Sequence, residues 1–188
     1  MYKIVLASKS PRRVQLLKEH GIRATPIPAD ILENEPVNCD YISTVMYLAF
    51  KKAMHIYNNE NIKDYDLIIG SDTVVYSEEI LGKPSSENDA FKMIKSLEGH
   101  EHIVATGVAI IDLNSGLKHV SYEETLVYVK DMTDDEINDY INTEEPYDKA
   151  GAYAIQGIFG KYIEKYEGSY TNVMGLPMEK LKEMLKVI

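Results

Sequence analysis

Among its 188 residues the chain has a single cysteine, Cys39. That excludes an internal disulfide and leaves a thiolate zinc site without companions. A small buried apolar side chain is the expected state of this thiol, ahead of a catalytic one. Glycine and proline together number only 18, which excludes a collagen-like or disordered chain. No apolar run approaches the roughly 18 residues needed to cross a bilayer. The largely apolar residues 1–7, interrupted by Lys3, are too short for a signal-peptide core and no small-residue cleavage site accompanies them, so a cytoplasmic protein without a membrane partner is expected. Basic side chains are scarce too: 20 stand against 30 acidic ones, a formal net charge of −10. That balance argues against general nucleic-acid binding, which needs a basic face to displace counterions. It still permits a local cationic pocket for one anion.

What is present is a globular composition, 45% hydrophobic and 27% charged. No repeat, linker or low-complexity segment breaks it, so residues 1–188 are expected to form a single domain. Residues 2–7 read as a strand. Ser10-Pro11 opens a helix with serine as N-cap and proline at the first helical position; Val14, Leu16 and Leu17 form its apolar face and Gly21 ends it. Residues 22–28 read as a second strand, followed by a polar stretch over 29–38. From about 39 to 58, Ile42, Val45, Met46, Ala49, Ala53, Ile56 and Tyr57 recur at three- and four-residue steps, the strongest helical pattern in the chain.

Residues 66–69 and 73–76 read as strand pieces flanking Gly70-Ser71-Asp72. Ser86 caps a helix whose apolar face is Ala90, Met93, Ile94 and Leu97. Two β-rich stretches, 101–112 and 117–130, meet at Asn114-Ser115-Gly116, a hairpin turn. Thr133 and Glu136 form a capping box for a helix through Ile141. Residues 144–177 carry no clear period. Pro177 starts a last helix with Met178, Leu181, Leu185 and Ile188 inward. Alternating strands and helices give an α/β class with a mixed sheet.

Four segments could carry chemistry. Ser8-Lys9-Ser10-Pro11-Arg12-Arg13 puts two arginines at the positive end of a helix dipole, a local conflict that a bound phosphate would resolve; solvated arginines are the plain alternative. Gly70-Ser71-Asp72-Thr73 follows a buried strand, where an aspartate is placed for a metal ion or an attacking water, or else closes a turn on its own backbone. In Leu81-Gly82-Lys83-Pro84 the proline holds the lysine extended, but no P-loop pattern is present. Lys51-Lys52 lies on the long helix, as a solvated face or as a phosphate ligand. The fourth segment runs from Glu145-Pro146 through Asp148-Lys149-Ala150-Gly151 to Gln156-Gly157. Its glycines suit close approach to a ligand, and the Gln156 amide has the donor and acceptor to read a base edge. Strand alternation would put His100 and His102 on one face, as a pair of metal ligands or as ordinary strand residues. No G-x-S-x-G elbow supports a serine nucleophile.

Taken in order, Leu6-Ala7-Ser8-x-Ser10-Pro11-Arg12-Arg13, Gly70-Ser71-Asp72-Thr73-Val74-Val75, Leu81-Gly82-Lys83-Pro84, Thr106-Gly107-Val108, Glu145-Pro146 with Asp148-Lys149-Ala150-Gly151-Ala152-Tyr153, Ile155-Gln156-Gly157 and Gly168-Ser169-Tyr170 with Val173-x-Gly175-Leu176-Pro177 resemble the Maf family of nucleoside triphosphate pyrophosphatases. The resemblance implies an elongated mixed β-sheet flanked by helices, two lobes with a central nucleotide-binding cleft, and a homodimer. It implies hydrolysis between the α- and β-phosphates of a nucleoside triphosphate with a divalent cation, magnesium or manganese. On matching positions, Asp72 would be the proton acceptor and would share the metal with Glu33, while Arg13, Lys52 and Lys83 hold phosphates beside Ser8. Arg12, Thr73 and Gln156 fall where the family sets its specificity. Thr73 and Gln156 point to the branch acting on dTTP and UTP. A 7-methyl-GTP pyrophosphatase and a non-catalytic nucleotide-binding regulator of septum formation are the alternatives. Two departures stand out: Glu98-Gly99-His100 replaces the family's usual Ser-Gly-Arg or Ser-Gly-Gln, and Ser71 replaces the commoner alanine.

Overall fold

The computed structural model describes residues 2–33, 36 and 39–188; the remainder of the polar stretch over 29–38 lies outside them. In chain order the elements are β1 (Ile4–Ala7), α1 (Pro11–Glu19), β2 (Ala24–Pro26), α2 (Tyr41–Asn59), β3 (Leu67–Ser77), β4 (Glu79–Leu81), α3 (Glu87–Leu97), β5 (Glu101–Asp112), β6 (Lys118–Val129), α4 (Asp134–Ile141), β7 (Ile163–Glu167), α5 (Tyr170–Val173) and α6 (Met178–Leu185). The strands form one seven-stranded sheet in the order β2-β1-β3-β5-β6-β7, with β4 paired to β3. β1 is parallel to β2 and β3, whereas β3–β4 and β6–β7 are antiparallel. The fold is therefore the expected mixed-sheet α/β class.

Capping chemistry explains most helix starts. Asp40, Ser86 and Thr133 each accept a backbone N–H from three residues on, and Thr133 with Glu136 completes the capping box. Ser10 occupies the N-cap of α1 but makes no side-chain cap bond; its own backbone N–H donates to the Ser8 hydroxyl at 3.1 Å. In α6 the buried positions are Met178, Leu181 and Met184; Leu185 and Ile188 are only half-buried. The segment 144–177 holds three short 3-10 turns besides β7 and α5, which is why it has no period of its own.

Two compact units divide the chain. The first comprises Met1–Asp72, Thr106–Glu123 and Gly175–Ile188, the second Thr73–Ala105 and Glu124–Met174. In the first, one face of the sheet packs under α2 through Val5, Ala7, Ala49, Ala53, Ile56, Ile68, Ala109 and Ile111. In the second, α3 and α4 close a core with Val75, Val104, Val127, Tyr153 and Phe159 among its members.

One expectation is corrected here. Gly70-Ser71-Asp72 is not a turn joining two strand pieces; it lies inside the single eleven-residue strand β3. The reason is packing. A Cβ on Gly70 would run into the backbone oxygen of Ala49, so the glycine lets α2 lie directly on the strand. The Ser71 hydroxyl then donates to the Gly175 carbonyl at 3.1 Å. Asp72 is buried as a strand residue, held by the sheet ladder on a rigid element.

Candidate active site

Six predicted residues lie in the first unit. β1 ends at Ala7, and Ser8 follows it, buried. Arg13, on the first turn of α1, donates from Nε to the Gly175 carbonyl at 2.6 Å and from NH1 to the Ser8 hydroxyl at 3.2 Å. Burial pushes the Arg13 guanidinium down from its ordinary value; Asp72 and Glu33 oppose that, and Arg12 adds to it. An arginine so placed stays cationic at physiological pH. Arg12 sits beside it, half-buried, and the first turn of α1 has no acidic residue. This helix end therefore carries two cations on top of the positive dipole end, an arrangement that attracts anionic groups.

Lys52 is the feature that the periodicity of α2 hides. It lies on the buried face of that helix, beside Ala49 and Ala53, and its ammonium bonds two carboxylates: Asp72 Oδ1 at 2.6 Å and Glu33 Oε1 at 2.8 Å. Asp72 and Lys52 side chains are each 9% exposed, Glu33 49%. The neighbouring Lys51 donates to the Leu32 carbonyl at 2.8 Å, so the two consecutive lysines fix both the backbone and the side chain of the loop that delivers Glu33. Sequence reading left Lys51 undecided between a solvated and a phosphate-binding role; the contact it makes is with the chain itself.

Two carboxylates within 3 Å of one point is a geometry that suits a cation. The chemistry of the donors fits a hard divalent ion of the magnesium kind, which is commonly held by one or two carboxylates together with substrate phosphate oxygens. Among the described residues no group of three or more histidine, cysteine, aspartate or glutamate side chains could hold a metal ion. A metal here therefore needs ligands from the substrate or from water, besides Asp72 and Glu33. Three cations (Arg12, Arg13, Lys52) stand against two carboxylates, so this cluster is cationic although the whole chain is at −10.

Other predicted site residues belong to the second unit. Thr73, half-buried, follows Asp72 in β3; Lys83 is exposed on the turn after β4; Gln156 is exposed. The turn with Lys83 is joined to the Lys149–Ala152 segment by a bond from Gly151 N–H to the Gly82 carbonyl at 3.0 Å. In that segment Gly151 and Ala152 both have left-handed backbone, φ 65° and 59°. For alanine this costs on the order of 1 kcal/mol, and the Tyr140 hydroxyl, donating to the Ala152 carbonyl at 3.0 Å, helps hold it.

Cys39 is exposed, not buried, because it precedes the N-cap of α2 and lies outside the helix's apolar face. The histidine pair does not form: His100 precedes β5 and is exposed, while His102 is buried with Nε2 2.7 Å from the Tyr153 hydroxyl. Burial drives the His102 pKa down to about 4, so it is a neutral core residue at pH 7. Glu98, one of the family departures, accepts the Met132 N–H at 3.2 Å and pairs with Lys95 at 3.1 Å. Those contacts are structural. Sequence reading missed the Gly175 carbonyl as the anchor of Arg13; a backbone oxygen leaves no side-chain signal.

Residues 3–188 match the family described as Maf-like protein. The chain is 47% identical over 189 residues to a dTTP/UTP pyrophosphatase of Caldicellulosiruptor saccharolyticus, covering 99% of this chain and 94% of that relative. It is 48% identical over 189 residues to a protein of the same description from Caldanaerobacter subterraneus, covering 98% and 88%. A third, from Acetivibrio thermocellus, is 45% identical over 190 residues, covering 99% and 95%.

Proposed function

The chain belongs to the Maf family, and from that premise we propose that it is a nucleoside triphosphate pyrophosphatase acting on dTTP and UTP. The activity is that of relatives 45–48% identical over nearly the whole chain. The observation that carries the site assignment is the Lys52 ammonium bound by both Asp72 and Glu33, next to an arginine-bearing helix end.

Hydrolysis at the α-phosphorus needs a nucleophilic water, and it builds negative charge on the equatorial and leaving oxygens. Asp72 is the base that takes the water's proton, fixed by its strand and by Lys52 so that little reorganisation is needed. Arg12 and Arg13 receive phosphate oxygens at the helix N-terminus, with Ser8 bonded to Arg13 and holding it in place. Lys52 and Lys83 supply further positive charge as the leaving pyrophosphate forms. Asp72 and Glu33 would hold a divalent cation, which when bound neutralises charge on the phosphate oxygens. Gln156 and Thr73 recognise the pyrimidine, the amide of Gln156 by its paired donor and acceptor. The same reading implies a homodimer, which light scattering on the purified protein measures. Among the described residues no helix is long and apolar enough to cross a membrane.

Phosphorus NMR of dTTP, UTP, GTP and 7-methyl-GTP incubated with protein and magnesium tests this function. Monophosphate and pyrophosphate from dTTP and UTP, well ahead of the guanine nucleotides, are expected. Release of orthophosphate with a diphosphate, or 7-methyl-GTP as the best substrate, would overturn it.

A further inference from the structure

Glu145 makes more contacts than an ordinary half-buried carboxylate. Its Oε2 accepts the backbone N–H of Ile158 at 2.7 Å and its Oε1 that of Phe159 at 3.1 Å. Oε1 also receives the Tyr140 hydroxyl at 3.2 Å, the group that reaches the Ala152 carbonyl on its other side. Burial, with the nearby Glu145 carboxylate adding to it, pushes the Tyr140 phenol up from its ordinary value, so it stays protonated, with its single proton shared between these two acceptors. The carboxylate also occupies the space where Gly157 would carry a Cβ; any side chain there would expel it. The peptide after Gln156 is thus locked between a glycine that admits the carboxylate and two N–H groups that bind it.

We propose that Glu145 is a positioning residue: its carboxylate sets the backbone of residues 157–159 and thereby aims the exposed Gln156 amide at the base of the bound nucleotide. The proposal rests on Gln156 as the base-reading group given above. A carboxylate accepting two N–H groups needs both oxygens, and a carboxamide offers only one. Glu145→Gln therefore leaves one loop N–H facing an N–H, at nearly unchanged volume.

The test compares wild type, Glu145→Gln and Gly157→Ala with dTTP and GTP as substrates, together with amide exchange at Ile158 and Phe159. Losing one charge-assisted bond should raise KM for dTTP about tenfold, with kcat changed by less than about threefold. GTP kinetics stay as in wild type, so the preference for dTTP falls about tenfold. Gly157→Ala gives the same pattern, and combining the two adds little, because both displace one contact. It also decides the matter should Glu145→Gln fail to fold. Equal losses of kcat for both nucleotides, with the preference intact, would overturn the proposal and make Glu145 a stability residue only. If wild type hydrolyses no triphosphate, the functional reading fails by itself, and amide exchange still decides the loop claim. Protection at Ile158 and Phe159 lost in Glu145→Gln supports it; protection kept overturns it.

Discussion

Replacing Lys52 with methionine removes the cation between Asp72 and Glu33 while nearly preserving volume, so cavity formation contributes little. The Asp72 and Lys52 side chains are each 9% exposed, and deleting one partner of a buried pair costs about 3–5 kcal/mol, because the other charge stays buried and unpaired. Glu33 is half-exposed, and its share is at most about 1 kcal/mol. Arg13 also faces Asp72 and attracts it, which puts the expected loss at the lower end, about 3 kcal/mol. For a chain of this length each kcal/mol moves the thermal midpoint by about 2–4 °C, so Lys52→Met should melt about 6–12 °C below wild type. Calorimetry at pH 7.5 in EDTA measures it. Replacing Asp72 with leucine in the same chain should restore part of the loss, since the Asp72 carboxylate is then no longer buried without its lysine, although Arg13 loses its attraction to Asp72. If Asp72 and Glu33 hold a divalent cation as proposed, magnesium should raise the midpoint of Lys52→Met more than that of wild type. A Lys52→Met protein as stable as wild type in EDTA would refute the reasoning, as would a Lys52→Met, Asp72→Leu protein no more stable than Lys52→Met.

Three further outcomes are expected. Asp72→Asn should lower kcat for dTTP by about a hundredfold or more, the usual contribution of a general base; steady-state assays check it, and near-normal turnover would move the base elsewhere. His102 titrates at about 4 in the folded protein against 6.5 unperturbed, so its stabilising contribution is complete above pH 6.5 and is lost as the pH falls toward 4. Urea unfolding of His102→Gln should therefore have a pH profile flatter by about 3 kcal/mol over that interval, and an unchanged slope would contradict a buried neutral histidine. Gly70→Ala should destabilise by about 2 kcal/mol or more, since its methyl meets the Ala49 backbone oxygen; a denaturant midpoint equal to wild type would show that α2 can move off the strand.

Much of the fold was legible because it is written in local chemistry. Ser86, Thr133 with Glu136, Pro11 and Pro177 mark helix starts within a residue or so, since capping acts over three positions. The candidate site was legible where residue type and element coincide, as in the arginines at a helix N-terminus; Asp72 was read as following a strand, not as part of one. What stayed hidden depends on partners far along the chain. The glycine of Gly70-Ser71-Asp72 has the look of a turn; only the helix packed on it makes continuous strand the better solution. Lys52 counts as a polar interruption in the period of α2, and its burial follows from carboxylates 19 and 20 residues away in sequence. Met184 takes the inward place expected of Leu185 because helix phase, read over eight residues, is uncertain by one position. Glu145 was visible as part of a charged run, but nothing local tells that its oxygens close on the backbone thirteen and fourteen residues later.

Turnover of dTTP in water enriched in oxygen-18 tests the central claim most directly, because the labelled oxygen marks the phosphorus that was attacked. Attack at the α-phosphorus, with Asp72 taking the water's proton, puts one label in the thymidine monophosphate and none in the pyrophosphate. Label in the pyrophosphate, with the monophosphate unlabelled, would place the attack at the β-phosphorus and contradict the account.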